Sequence, residues 1–189
     1  MSRIIGGHGK GRRLSAPGGQ ATRPTGARVR QTLFDILAPR VPGCRFLDAL
    51  AGSGAVGLEA LSRGAARVVL VDQSGAAVAA MRENLALLKG APGQAQVLRQ
   101  EALVALAALG DSGVRFDVIY LDPPYASELY EPLLEAVGRF GLLAPGGLVV
   151  AEHFHKRALP ETMGRLHRSR EVRVGDHRLS FYRAAEAGA

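Results

Sequence analysis

Four short apolar runs, each reaching a carboxylate at or near its end, recur along the middle of this 189-residue chain. Arg45 to Leu50 contains Asp48, Arg67 to Val71 is followed by Asp72, Gln96 to Leu98 precedes Glu101, and Phe116 to Leu121 stops at Asp122. Val68, Val69, Leu70 and Val71 are continuous rather than alternating, which is how a strand buried on both faces reads. Helical stretches separate the runs: Ala55 to Arg63 closed by Gly64, Ala76 to Lys89 stopped by Gly90 and Pro92, and Ala102 to Leu109. Glu128 to Phe140 follows, with Leu129, Leu133, Val137 and Phe140 on one helical face. Strands and helices in alternation require an α/β fold, a doubly wound and mostly parallel sheet. Leu148 to Ala151 supplies a fifth strand after the turn at Pro145-Gly146-Gly147. Leu166 to Val174 and Arg178 to Arg183, joined by Gly175-Asp176, predict a closing antiparallel hairpin and seven strands in all.

The two ends of the chain differ from this middle. Residues 1–31 hold seven cations, Arg3, Lys10, Arg12, Arg13, Arg23, Arg28 and Arg30, and no acid. Residues 32–152 carry 9 cations against 13 acids, and residues 153–189 carry 8 against 4, so the net charge of +7 sits at the ends. Six of the leading seven are arginine, whose fork matches phosphate oxygens, so these residues are the candidate polyanion contacts. Arg3 to Gly7 and Arg12 to Leu14 read as extended pieces of a hairpin arm over residues 1–24, leaving one main domain over 25–189. Thr25 is a candidate cap for a helix with Val29, Leu33, Ile36 and Leu37 on one face and Arg28 and Arg30 off it.

An apolar fraction of 47% is that of a folded globular chain. Cys44 alone rules out an internal disulfide framework. No apolar run approaches the roughly 20 residues of a membrane span. The first residues lack the apolar centre of a secretory signal, so a cytoplasmic protein is expected. His153, His155, His167 and His177 read as surface or structural residues, with no metal site among them.

Asp48 to Gly57 joins the first strand to the first helix. Gly52, Gly54 and Gly57 match the G-x-G-x-x-G pattern, and Asp72 stands 20 residues beyond Gly52, as in nicotinamide-binding domains. That match is unspecific, and an oxidoreductase remains a rival reading on it. Asp48 discriminates, because a carboxylate so near the turn repels a pyrophosphate. S-adenosyl-L-methionine carries an α-ammonium there instead. Asp48 would pair with it, while Ala51, Gly52, Ser53 and Gly54 let backbone N–H groups approach the methionine carboxylate. Asp72, with Gln73 beside it, would accept from the ribose hydroxyls, and Glu101 and Ala102 fall where the adenine belongs. For Glu101 a second reading is open: an acid capping a helix N-terminus.

Asp122-Pro123-Pro124-Tyr125 sits where the fourth strand ends, the edge at which open α/β sheets bind ligands. The exocyclic amine of a base is a poor nucleophile, because its lone pair is delocalised into the ring. Accepting its two N–H groups at the Asp122 carboxylate and the Pro123 carbonyl would favour pyramidalisation. Pro124 withholds a competing N–H, and Tyr125 can stack on the base for roughly 1–3 kcal/mol. Such a base must be unpaired or flipped out. Asp122 therefore faces both amine and donor. These residues alone do not choose guanine over adenine, and an adenine-N6 methyltransferase acting on DNA or RNA stays open. A non-catalytic RNA-binding module would leave Asp48 and Asp72 without a purpose.

Beyond these motifs, the chain carries Arg3-Ile4-Ile5-Gly6-Gly7, Gly11-Arg12-Arg13-Leu14, Arg23-Pro24-Thr25, Arg28-Val29-Arg30, Leu33-Phe34, the block Ala51 to Ala65 and Asn84-Leu85 in order. Together with Asp122 to Tyr125 they resemble the bacterial 16S rRNA guanine-N2 methyltransferases of the RsmD family, over nearly the whole length. The resemblance implies a class I S-adenosylmethionine-dependent, Rossmann-like methyltransferase with a basic N-terminal arm. It implies as target one guanine of 16S rRNA in a partly assembled 30S subunit, with neighbouring ribosomal proteins as further candidate contacts. A monomer and no membrane partner are expected. The chain departs from the family where Ala27 and Gln31 replace acids and Leu50 replaces an aromatic residue.

Overall fold

The computed structural model describes residues 2–17, 26–125 and 127–185. Its elements in order are β1 (Ser2–Arg3), β2 (Arg13–Leu14), α1 (Ala27–Leu37), β3 (Arg45–Asp48), α2 (Ala55–Ser62), β4 (Arg67–Asp72) and α3 (Gly75–Ala86). There follow β5 (Gln94–Arg99), α4 (Ala102–Asp111), β6 (Phe116–Leu121), α5 (Tyr130–Arg139), β7 (Leu143–Phe154), β8 (Thr162–Met163), β9 (Leu166–Val174) and β10 (His177–Ala184). The main sheet has the order β5-β4-β3-β6-β7-β10-β9-β8. Strands β3 to β7 are parallel, and β10 runs antiparallel to both β7 and β9. The expected seven strands are thus present, and two-residue β8 adds an eighth at the edge. Among the described residues no helix is long and apolar enough to cross a membrane.

The continuous apolar runs are explained by cover on both faces. Val68 and Leu70 of β4 pack into the core beside α2 and α3 residues such as Leu58 and Met81. Val69 and Val71 point the other way, among Leu106 of α4 and Leu133 of α5. Each such side chain contributes about 1.5–3 kcal/mol on burial, so a strand of this composition has no stable alternative with one face wet.

Strand β7 is longer than its apolar run suggests at both ends. The expected Pro145-Gly146-Gly147 turn is a bulge inside the strand, with the register against β6 shifting between Phe116 and Val118. Gly147 permits it, since a Cβ there would lie 2.9 Å from the Ala144 carbonyl and 3.0 Å from that of Phe116. Beyond Ala151 the strand continues through polar Glu152 and His153, because β10 pairs with it as far as Phe154 and partners satisfy both side chains.

The arm is a short antiparallel hairpin, Ser2 opposite Leu14 and Arg3 opposite Arg13, and it is docked on α2. Ile4 and Leu14 are buried in the core. Fully buried Glu59 accepts the Ile5 and Gly6 amides at 2.7 and 2.8 Å and pairs with Arg63 at 2.7 Å. Ser62 Oγ donates to the Gly6 carbonyl and accepts from Gly9 N–H. Arg30, expected to face phosphate, is instead buried at 1% exposure. Its guanidinium donates to Ser2 Oγ and the Arg3 carbonyl and lies 3.9 Å from Glu59. It is a strut between α1 and the arm, held without the acids that Ala27 and Gln31 replace. Thr25, the expected cap, lies outside the described residues, and Gly26 occupies the N-cap of α1.

At Gly7, φ is +73° and a Cβ would stand 1.8 Å from the Ser62 carbonyl oxygen. Gly7→Ala is therefore expected to lift the arm at a cost of about 2 kcal/mol or more. Trypsin cleavage at Arg12 and Arg13 should then accelerate while the remaining domain persists. An unchanged cleavage rate would contradict the docking geometry.

Candidate active site

A cavity of about 1040 Å³ opens at the carboxyl ends of the parallel strands. It lies where the strand order reverses between β3 and β6, the place where doubly wound sheets bind ligands. Its lining brings together Asp48, Ala51, Gly52, Ser53, Asp72, Gln73, Glu101 and Ala102 with Asp122, Pro123, Pro124 and Tyr125. Leu14, Ser15, Ala16 and Pro17 add a wall from the arm, a contact that no local pattern in the chain announces.

Asp48, at the end of β3, is buried, and its Oδ2 accepts the Gly57 amide at 2.9 Å. Burial pushes its carboxyl up to about 7; the Gly57 bond opposes this, and the nearby Asp72 charge adds to it. A cation in the cavity beside Asp48 would stabilise its ionised form. Half-buried Asp72 accepts from Gly52 N–H and Ser74 N–H, each at 2.9 Å. Carboxylate oxygens retain further lone pairs, so Asp72 can still receive two hydroxyl groups.

Two expectations for this loop are corrected. Gly54 does not line the cavity: its φ of +79° makes the turn, and a Cβ would press on Met81 and Leu58 at 3.1 and 3.2 Å. Its N–H donates to the Ala51 carbonyl, as the Gly52 amide does to Asp72, so neither glycine has its N–H left for a ligand. The first amides of α2, at Ala55 and Val56, lack intrahelical acceptors, and both residues line the cavity. Glu101 is the N-cap of α4, its two oxygens accepting Leu103 and Val104 amides at 3.1 Å each. Its carboxylate thus does the capping, while the residue also lines the cavity. The chemistry fits S-adenosylmethionine: an acid for an ammonium, helix amides for a carboxylate, a second acid for a diol, and Ala102 for an apolar ring.

At the other end of the cavity Asp122 is half-buried. The Pro123 carbonyl accepts the Tyr130 hydroxyl at 3.2 Å, and the same hydroxyl lies 3.1 Å from the Glu152 carbonyl oxygen. Pro123 thereby keeps one lone pair for a substrate N–H. Tyr125 is 41% exposed, its hydroxyl 3.0 Å from His177 Nε2. Tyr130 and Glu152 carry no signal in the sequence, and His177 reads there only as a surface or structural residue, because their partners are remote along the chain. Among the described residues no group of three or more His, Cys, Asp or Glu is placed to hold a metal ion.

Arg3, Lys10, Arg12, Arg13 and Arg28 are exposed and remain candidate phosphate contacts, Arg30 does not, and Arg23 lies outside the described residues.

The family model described as Conserved hypothetical protein 95 matches residues 2–183. The chain is 37% identical to ribosomal RNA small subunit methyltransferase D of Escherichia coli (strain K12), over 98% of this chain and 91% of that protein. It is 37% identical to the protein of the same name from Haemophilus influenzae, over 79% of this chain and 77% of that one. The solved structure of yhhF from Escherichia coli superposes with a TM-score of 0.84 at 35% identity, covering 97% of each chain.

Proposed function

The chain belongs to the Conserved hypothetical protein 95 family, that of ribosomal RNA small subunit methyltransferase D, and on that premise we propose that it methylates the exocyclic N2 of a guanine in 16S rRNA. The donor in this reading is S-adenosyl-L-methionine, which supplies an electrophilic methyl group. The substrate is a partly assembled 30S subunit in the cytoplasm, met by a monomer. One observation carries the proposal: a single cavity joins the Asp48–Asp72 end to the Asp122–Tyr125 end, so a donor and a base can meet inside it.

The residues divide the work. Asp48, the α2 amides and Asp72 hold the donor. Asp122 and the Pro123 carbonyl accept the two N–H groups of the base amine and aim its lone pair, and Asp122 is placed to take the proton that the methylated nitrogen sheds. Tyr125 stacks on the base, and the arm wall of Leu14 to Pro17 limits water. Relatives named for small-subunit RNA favour this over methylation of DNA adenine.

Methyl-labelled donor should be offered in parallel to under-modified small subunits, naked rRNA and DNA, and the modified base mapped. Label in a small-subunit guanine is the expected result; label confined to DNA adenine would sink the proposal. Replacing Arg12 and Arg13 together should weaken RNA binding and flatten its log–log salt dependence by about 1–2 units. An unchanged slope in a filter-binding titration would exclude the arm from the interface.

A further inference from the structure

We propose that His177, held by Glu152, is a positioning residue that fixes Tyr125 for the incoming base, an inference resting on the role given to Tyr125 above. A chain of polar contacts connects the sheet core to this exposed ring. Glu152 of β7 is 1% exposed and takes a short hydrogen bond from the Tyr120 hydroxyl of β6. Its other oxygen lies 2.7 Å from His177 Nδ1 on β10, and His177 Nε2 lies 3.0 Å from the Tyr125 hydroxyl. The His177 and Phe154 rings flank Tyr125 edge-on, with centroids at 5.6 and 6.1 Å.

The partners give the chain a direction. A buried carboxylate requires donors, and Glu152 has two, the Tyr120 hydroxyl and His177 Nδ1–H. With Nδ1–H committed to Glu152, the His177 ring is held in place, and the Tyr125 hydroxyl rests over its face, 3.0 Å from Nε2 and 3.4 Å from Nδ1. Burial and then the Glu152 charge push the Tyr120 hydroxyl upward, keeping it a donor. Tyr125 follows two prolines at the end of a strand, with 41% of its surface exposed. Tethering its hydroxyl to three strands of the sheet sets the ring plane before a base arrives, which lowers the entropic cost of stacking.

The test compares small-subunit methylation by His177→Ala, Tyr125→Phe and the double variant, with donor affinity measured for each. Each single change should raise KM for the subunit roughly tenfold and leave donor binding unchanged, and the double variant should be no worse than either single one. His177→Gln, which retains hydrogen-bonding groups, should recover most of the loss, and this guards against a fold defect in the alanine variant. Additive losses near a hundredfold, or a parallel loss of donor binding, would show that His177 does not act through Tyr125. Wild-type protein separates the two claims. No wild-type transfer to subunits overturns the reaction assigned above, whereas wild-type transfer with an unaffected His177→Ala overturns only the positioning role.

Discussion

Asp122→Ala is expected to reduce methyl transfer at least a thousandfold while donor affinity changes little. Asp122 directly follows β6 at the cavity, before two residues that cannot extend the ladder. Its carboxylate is asked for two things that only the reacting amine needs: an acceptor for one N–H, and a place for the proton released after transfer. Removal of one preorganised electrostatic group costs about 10²–10³ in rate, and loss of general base assistance about 10²–10⁴. The donor contacts proposed above are on Asp48, Asp72 and α2, which the substitution leaves in place. Single-turnover rates with calorimetric donor titration separate the two. Equal loss of rate and donor affinity would place Asp122 in donor binding instead.

The fold was legible wherever the deciding interaction was local. Val68 to Val71 announced a two-faced strand, and β9 has the ends its composition suggests. Turn chemistry at Gly175-Asp176 located the hairpin, since a turn is decided within four residues. The bounds of β7 were not legible, because Gly147 and the pairing with β10 decide them from outside the segment. Arg30 shows the same limit in the site. Its place off the apolar face of the helix, beside Arg28, suggested a solvated cation, but a buried acid 29 positions away, Glu59, and the arm claim it. Glu152 and His177 meet across adjacent strands of an antiparallel pair, and only register could have joined them. Glu101 satisfied two readings equally until its oxygens were seen on the α4 amides. The cavity acids Asp48, Asp72 and Asp122 were readable for the opposite reason: each ends or directly follows a strand of one parallel sheet, so topology alone gathers them.

Asp48→Asn is expected to weaken donor binding about 30-fold or more and yet to raise the thermal stability of the free protein at alkaline pH. Burial, more than the Asp72 charge, lifts the Asp48 carboxyl to about 7, whereas an unfolded aspartate titrates near 3.9. A group raised on folding favours the folded state below its unfolded pKa, and that contribution is lost as the pH climbs through the folded one. Ionised Asp48 therefore costs the free protein an amount of the order of 4 kcal/mol above pH 7. An asparagine can still accept the Gly57 amide without carrying that charge. The variant should melt several degrees higher than wild type at pH 8, the gap closing steadily as the pH is lowered towards 4. Binding runs the other way, since an α-ammonium needs the carboxylate, and truncating a desolvated charge pair costs about 2–5 kcal/mol. Wild-type donor affinity should rise from pH 6 to about 7 and fall again where an α-amino group loses its proton, at roughly 7.7–8.0; the rising limb should be missing in the variant. Calorimetric titrations at three pH values and melting curves from pH 5 to 8 test both halves. A variant that binds donor like wild type would remove Asp48 from the ammonium site, and one that melts lower at pH 8 would overturn the cost assigned to its buried charge.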